Sequence, residues 1–394
     1  MSITTDQGIQ SMQKLLLLLS FTLLFSVSCS NNKKSKKKKF EPAKITKITQ
    51  QGQFKKLWTY KLDGSKKSYG YKLIPYIDNQ DVYIASQSGQ VVKLNLETGT
   101  KNWSVNLDKE LSSGPGVGED ILIVGTPEGT VIALNKKDGS IAWNVKLSSE
   151  ILSPPVIDNQ IAVIRSQDGR VYALDTADGK RKWLFDTNIP NLTLRGNSTP
   201  LVKAGRVYIG FDNGKVAAIK LETGDVIWLQ NVVKTNGKTE LARIVDIDGD
   251  MALISTDLYV SSAVGKTIAV ATESGRVMWS KDIGSAAGVT ASRSNLFIID
   301  NKSNLHALDR SNGSDEWKTT EYNYRLLTTP VFYLGDIIVG DLEGYIHVID
   351  GSDGKTVARS RMGKYAFYSA PVKSASTVIA YNKDGNVTAF EYNR

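Results

Sequence analysis

Short apolar runs of four to six residues alternate with turn-forming pairs along most of the chain, and the alternation is itself periodic. Residues 155–183 give the unit. Val156-Ile157 leads to Asp158-Asn159; the run 161–164 leads to Gln167-Asp168-Gly169; the run 171–174 leads to Asp178-Gly179; and 182–185 follows. Runs this short, rich in Val, Ile and Tyr and bounded by Asp, Asn and Gly, predict four strands joined by tight hairpins. Pro155 and Trp183 are 28 residues apart, and the same interval separates Pro75 from Trp103, Pro115 from Trp143 and Pro200 from Trp228. A Gly lies 14 residues before each Trp (Gly89, Gly129, Gly169, Gly214) and another lies four before it (Gly99, Gly139, Gly179, Gly224). Tight hairpins need positive φ, which Gly adopts without steric cost. Proline fits only the start of a strand or an unpaired edge. One such meander cannot bury both of its faces, whereas a ring of them can, each packing on the next.

Weaker copies complete the ring. Trp279 follows Gly265 by 14 residues and Gly275 by four, with Met251 in the proline position. Trp317 follows Gly313 by four, with Val289 and Ser303 in place of the proline and the first glycine. Pro330, Gly344 and Gly354 mark a seventh unit, with Ala358 where Trp belongs. Pro371 and Gly385 open an eighth, and the chain reaches Arg394 before its fourth strand. Residues 54–62, containing Trp58, match the Trp strand and precede the first unit. The expectation is an all-β, eight-bladed β-propeller, four antiparallel strands per blade, closed by the N-terminal strand completing the last blade. Residues 257–263 are irregular and leave the local fold of the fifth blade open.

Ahead of the ring the pattern changes. Residues 15–25 are an apolar run of 11, shorter than a bilayer span, after Lys14 and before small residues. This predicts a signal peptide over 1–28, starting at Met1 or Met12. Cys29, the only cysteine, follows Phe25-Ser26-Val27-Ser28. That stretch resembles a bacterial lipobox and predicts lipidation at Cys29, although Ser26 stands where Leu is usual; the alternative is a free thiol in a discarded peptide. One cysteine excludes an intramolecular disulfide and a cysteine-cluster metal site. Ser30 rather than Asp follows it, which favours the outer membrane over the inner. Residues 29–50 read as a Lys-rich flexible tether and 51–394 as the propeller. Residues 1–48 hold nine Lys against two acids, so only +2 of the net charge of +9 belongs to the ring. The tail either touches anionic lipid headgroups or is a solvated spacer, and no nucleic-acid face is implied.

Two blade-to-blade connections are long, residues 186–196 after Trp183 and 234–248 after Trp228. Such crossings all leave from one rim, and these two are consecutive, so Leu192, Leu194, Arg195, Asp246 and Asp248 are expected to lie together. Apolar anchors flanked by charges suit a protein-binding patch on a rigid scaffold. The other reading is that the Leu side chains tuck under their own loop while Arg195 pairs with an Asp.

Candidate catalytic chemistry is thin. His306 and His347 fall in third strands, aligned with Lys93, Ala133, Ala173 and Ala218, and read as ordinary strand residues. No His pair has metal-ligand spacing, and no Ser or Cys is set up as a nucleophile. Asp246-Ile-Asp248-Gly-Asp250 resembles the start of a calcium loop with Asp257 at its twelfth position, but Met251 occupies the sixth, where the turn needs Gly. No metal and no cofactor is expected.

The unit from Gly169 to Trp183, G-x-V-x-A-L-D-x-x-x-G-x-x-x-W, resembles the repeat of the pyrroloquinoline-quinone dehydrogenase propellers. Leu192-Thr-Leu194-Arg195-Gly196, Asp246-Ile-Asp248 and Arg325-Leu-Leu-Thr-Thr-Pro330, together with the Cys-containing signal segment, resemble the BamB family of outer-membrane β-barrel assembly lipoproteins over essentially the whole mature chain. The resemblance implies a non-enzymatic scaffold, lipid-anchored at the periplasmic face of the outer membrane. Its partner would be the POTRA domains of BamA, bound through Leu192, Leu194 and Arg195, with Asp246 and Asp248 shaping the patch. Unfolded outer-membrane proteins would be assisted towards the barrel catalyst, and strand addition to a blade edge is one way to engage them. The alternatives are a quinone-dependent dehydrogenase and a surface-anchored propeller with another partner. The first lacks vicinal cysteines, long loops on most blades and a recognisable Asp base beside calcium ligands.

Overall fold

Eight four-stranded antiparallel sheets follow one another through the unit Ala43–Arg394, in the computed structural model, which describes residues 41–63, 71–188, 190, 193–194, 198–233 and 245–394. Seven sheets take their strands in chain order. The eighth combines Val372–Lys373, Thr377–Tyr381 and Asn386–Asn393 with Gln53–Lys61 from the other end of the chain. That closing strand pairs from Gln53 with Asn393 to Lys61 with Asn386, one bulge falling between Lys56 and Trp58. Cys29, the apolar run 15–25 and the Lys-rich stretch 33–39 lie outside the described residues, as do Leu192 and Arg195.

Blade 3 shows why the repeat folds as it does. Its strands are Val156–Asp158, Ile161–Arg165, Val171–Asp175 and Arg181–Phe185. The second is buried at every position, and so are the first four residues of the third, because neighbouring blades cover both faces. Continuous apolar runs therefore replace alternation there. The fourth strand alternates and keeps only Trp183 buried, as expected of the outermost strand. First strands lie innermost, where short parallel bridges join adjacent blades, as between Lys72 and Ser113 and between Asp250 and Gly288.

The two periodic features, Trp and the Gly four residues before it, meet across blades. Trp143 of blade 2 donates its indole N–H to the Thr176 carbonyl of blade 3 at 2.8 Å. A Cβ on Gly179, also in blade 3, would lie 2.7 Å from the same indole. Gly179 also has φ of 75°, so sterics and backbone both demand glycine. All seven Trp residues donate in this way to the next blade. Within its own sheet Trp183 faces Ala173, and the register slips by one immediately afterwards. The same bulge recurs in each of the seven sheets built in chain order.

The fifth blade is regular. Asp257–Ser261, taken from the stretch that reads as irregular, pairs residue for residue with Thr267–Ala271. The histidines differ from expectation by one position. His306 faces Lys318 and His347 faces Arg359, which aligns them with Tyr172 rather than Ala173.

Candidate functional site

Two long crossings meet over the second-to-third-strand hairpins of blades 3 and 4. Gly210 ends the second strand of blade 4 without a side chain, and Ile247 and Ser198 fill the space where its Cβ would stand. Ile247 is fully buried in an apolar cluster with Tyr208 and Val216. Its N–H donates to the Phe211 carbonyl at 3.3 Å, and the carbonyl of Asp246 accepts from Ala263 at 2.7 Å. The apolar anchor thus fixes the carboxylates on either side of it. Asp246 accepts a hydrogen bond from the Leu194 N–H, which ties the first crossing to the second. The Leu194 side chain remains half exposed, at 49%. The first crossing is held a second time by Asn213, whose amide donates to the Asn188 carbonyl at 2.8 Å.

Beneath this contact lies a buried charge cluster. One carboxylate oxygen each from Asp212, Asp246 and Asp248 fall within 4.8 Å of one another. Arg165, fully buried, pairs with Asp212 and packs over the Phe211 ring at 5.7 Å. Three acids against one guanidinium cannot all ionise cheaply in a dry site. Burial pushes the Asp246 carboxyl up to about 6, with Asp212 adding to it and the Leu194 N–H and Arg165 opposing. Burial and the carboxylates of Asp246 and Asp212 push Asp248 up to about 7, against Arg165 and Lys72. Three carboxylates suit a hard cation, and here the guanidinium of Arg165 supplies the positive charge.

The structure therefore brings Leu194, Asp246 and Asp248 to one place. Arg165 and Asp212 are members that the sequence reading missed. Arg165 stands where the other second strands end in Ala85, Gly125, Gly210, Ser261, Ile299, Gly340 or Tyr381, and a charged residue in that slot is the signal that could have revealed it.

A second buried network lies in blade 7. Arg325 donates to Asp341 at 2.8 Å, to Glu343, and to the Ala43 carbonyl at 2.7 Å. His347 is fully buried; its Nδ1 accepts from Arg359 Nε at 2.9 Å, so its Nε2–H faces Asp341, also at 2.9 Å. Burial, with the charges of Arg359 and Arg325, holds the imidazole pKa down against the pull of Asp341. This histidine works in a charge network rather than as an ordinary strand residue.

Fold and site together define an eight-bladed propeller of the quinoprotein-repeat type whose rim carries a loop-built patch backed by buried charge. The family model described as outer membrane protein assembly factor BamB matches residues 87–319. The BamB of Pseudomonas aeruginosa is 42% identical over 92% of this chain and 95% of its own length. That of Escherichia coli is 32% identical over 95% and 98%. The crystal structure of BamB from Moraxella catarrhalis superposes with a TM-score of 0.79 at 26% identity, covering 86% of this chain and 99% of that one. A quinohemoprotein alcohol dehydrogenase from Comamonas testosteroni shares the fold alone, at 12% identity and a TM-score of 0.69, covering 86% of this chain and 76% of that one. The chain belongs to the BamB family of outer membrane protein assembly factors.

Proposed function

We propose that the protein is a non-enzymatic scaffold that binds the periplasmic POTRA domains of BamA through the rim formed by the two long crossings. Leu192, Leu194 and Arg195 make direct contact in this reading, and Asp246 and Asp248 hold the patch in shape. The observation that carries it is the Leu194 N–H on the buried Asp246 carboxylate, which makes two crossings from consecutive blades one surface with an apolar residue at its edge. Residues 1–28 act as a signal peptide, Cys29 carries the lipid, and the Lys-rich stretch that follows tethers the ring to the periplasmic face of the outer membrane. Unfolded outer-membrane proteins are the cargo that the complex serves.

The test is binding of the full chain, purified in detergent, to the POTRA region of BamA from the same organism, alongside Arg195→Glu. Reversing a central charge costs several kcal/mol, roughly a hundredfold or more in affinity. Wild-type binding lost in a folded Arg195→Glu variant supports partner and rim together. Equal binding by both retains BamA and overturns the rim. Binding by neither overturns the partner.

A further inference from the structure

The candidate rim ends on a residue that the proposed interface does not use. Asp250 follows the second long crossing just before the first strand of blade 5, and Thr199 follows the first just before the first strand of blade 4. Thr199 donates its hydroxyl to Asp250 Oδ1 at 3.1 Å, with its N–H at 3.5 Å from the same oxygen. The backbone of Asp250 is clamped by blade 6, where the Val289 N–H donates to its carbonyl at 3.0 Å. On its far side, Asp250 Oδ2 lies 3.3 Å from the hydroxyl of Thr329 in blade 7.

The remaining partner comes from the opposite side of the ring. Lys72 precedes the first strand of blade 1, and its backbone is fastened to blade 2 by the Ser112 carbonyl and the Gly114 N–H, at 3.2 and 2.7 Å. Its ammonium reaches Asp250 Oδ1 at 2.9 Å and the Asp248 carbonyl at 3.1 Å. Blades 1 and 5 are four apart in a ring of eight, so this bond spans the axis. Both side chains are largely shielded, at 21% and 27% exposure, so solvent screens the pair less than a surface bridge. Burial opposes ionisation of Asp250, yet the charge of Lys72 and hydrogen bonds from Lys72 and Thr199 outweigh it and hold the carboxyl below its ordinary range.

We infer that Lys72 and Asp250 form a latch across the ring axis that positions the two long crossings, and so act as positioning residues for partner binding at the rim. One carboxylate collects the ends of both crossings, and one ammonium from the far wall fixes that carboxylate and the backbone of Asp248 together. The inference rests on the interface reading above for its consequence in binding, and on geometry alone for the ordering of the loops.

The experiment compares wild type with Lys72→Met, Lys72→Arg and Asp250→Asn in the full chain. Lys136→Met serves as control, since Lys136 makes an equally shielded pair with Asp78 at 2.7 Å, away from the crossings. Amide hydrogen exchange at residues 193–194, 198–199 and 245–250 is read beside affinity for the BamA POTRA region and thermal stability. Lys72→Met and Asp250→Asn are expected to speed exchange in these segments at least tenfold and to weaken binding at least tenfold. Lys72→Arg restores much of both, and Lys136→Met leaves both as in wild type while lowering Tm by a similar amount. Unchanged exchange in Lys72→Met, the same acceleration in Lys136→Met, or faster exchange with unchanged affinity overturns the inference. If wild type does not bind the POTRA region, the interface reading fails by itself, and exchange decides whether the latch orders these segments.

Discussion

Asp248 carries the clearest consequence of the buried cluster, because its carboxyl is pushed up to about 7 while only 7% of the residue is exposed. In the unfolded chain it releases its proton near pH 4; in the folded ring it keeps it until about 7. Across that window the folded state holds more protons, so this group lowers stability as pH rises. Asp248→Asn removes the titration and leaves the backbone carbonyl that Lys72 uses. The variant is expected to gain stability over wild type as pH rises from 5 to 8, by on the order of a few kcal/mol. Denaturant unfolding of both proteins across that range checks it, and a difference independent of pH would sink the assignment. The same residues show what sequence carries and what it does not. Asp246-Ile-Asp248 is visible as a motif because two acids flank one apolar residue. Arg165 ends a second strand in blade 3 and Asp212 lies in a hairpin of blade 4, 81 and 34 residues before Asp246, and only the folded ring brings them under it.

At the scale of the strand, spacing reveals the repeat but hides the contact that uses it. Gly179 stands four residues before Trp183, yet the indole it receives is that of Trp143 in the preceding blade. A glycine and a tryptophan from one 28-residue interval therefore serve two different junctions. Two alanine substitutions separate the causes of the glycine requirement. Gly205 has φ of 70°, and a Cβ there would meet nothing within 4 Å, so Gly205→Ala carries the backbone penalty alone, about 1 kcal/mol. Gly179→Ala carries that penalty and also drives a methyl into an indole fixed by its hydrogen bond to Thr176. Its cost is expected to exceed that of Gly205→Ala by about 1–3 kcal/mol, the usual range for overpacking. Equal costs in chemical denaturation would mean that the indole gives way and the cross-blade lock is weak.

Across the whole ring, the junction between blades 7 and 8 is built differently from the other seven. Ala358 takes the Trp position of blade 7, so no indole crosses to blade 8 there. Polar bonds stand in its place: Tyr392 donates to Asp336 at 2.6 Å, and Arg394 pairs with the same carboxylate at 2.9 Å. The chain ahead of the closing strand adds a strap along the outer edge of blade 7. The Ala43 N–H reaches the Asn323 carbonyl and the Gln51 N–H reaches the Val357 carbonyl, both at 2.8 Å, while Arg359 donates to the Thr46 carbonyl at 2.7 Å. Sequence reading assigns residues 29–50 to the tether. It misses the docking of residues 43–50 because those bonds are largely to backbone and join positions about 280 or more residues apart. An exposed strand edge invites wrong pairing, and covering it with a segment of the same chain is a common remedy. Arg359 is central, since it also donates to His347 and faces Glu321 at 3.5 Å. Arg359→Ala is therefore expected to release the strap before it disturbs any Trp-locked junction. Trypsin cleavage after Lys44 and Lys47, followed by mass spectrometry, should accelerate at least tenfold in that variant, while the amides of blades 2 to 4 exchange as in wild type. Cleavage at the wild-type rate would mean that the closing strand, paired with Asn386–Asn393 on both sides of its bulge, holds the ring shut without the strap.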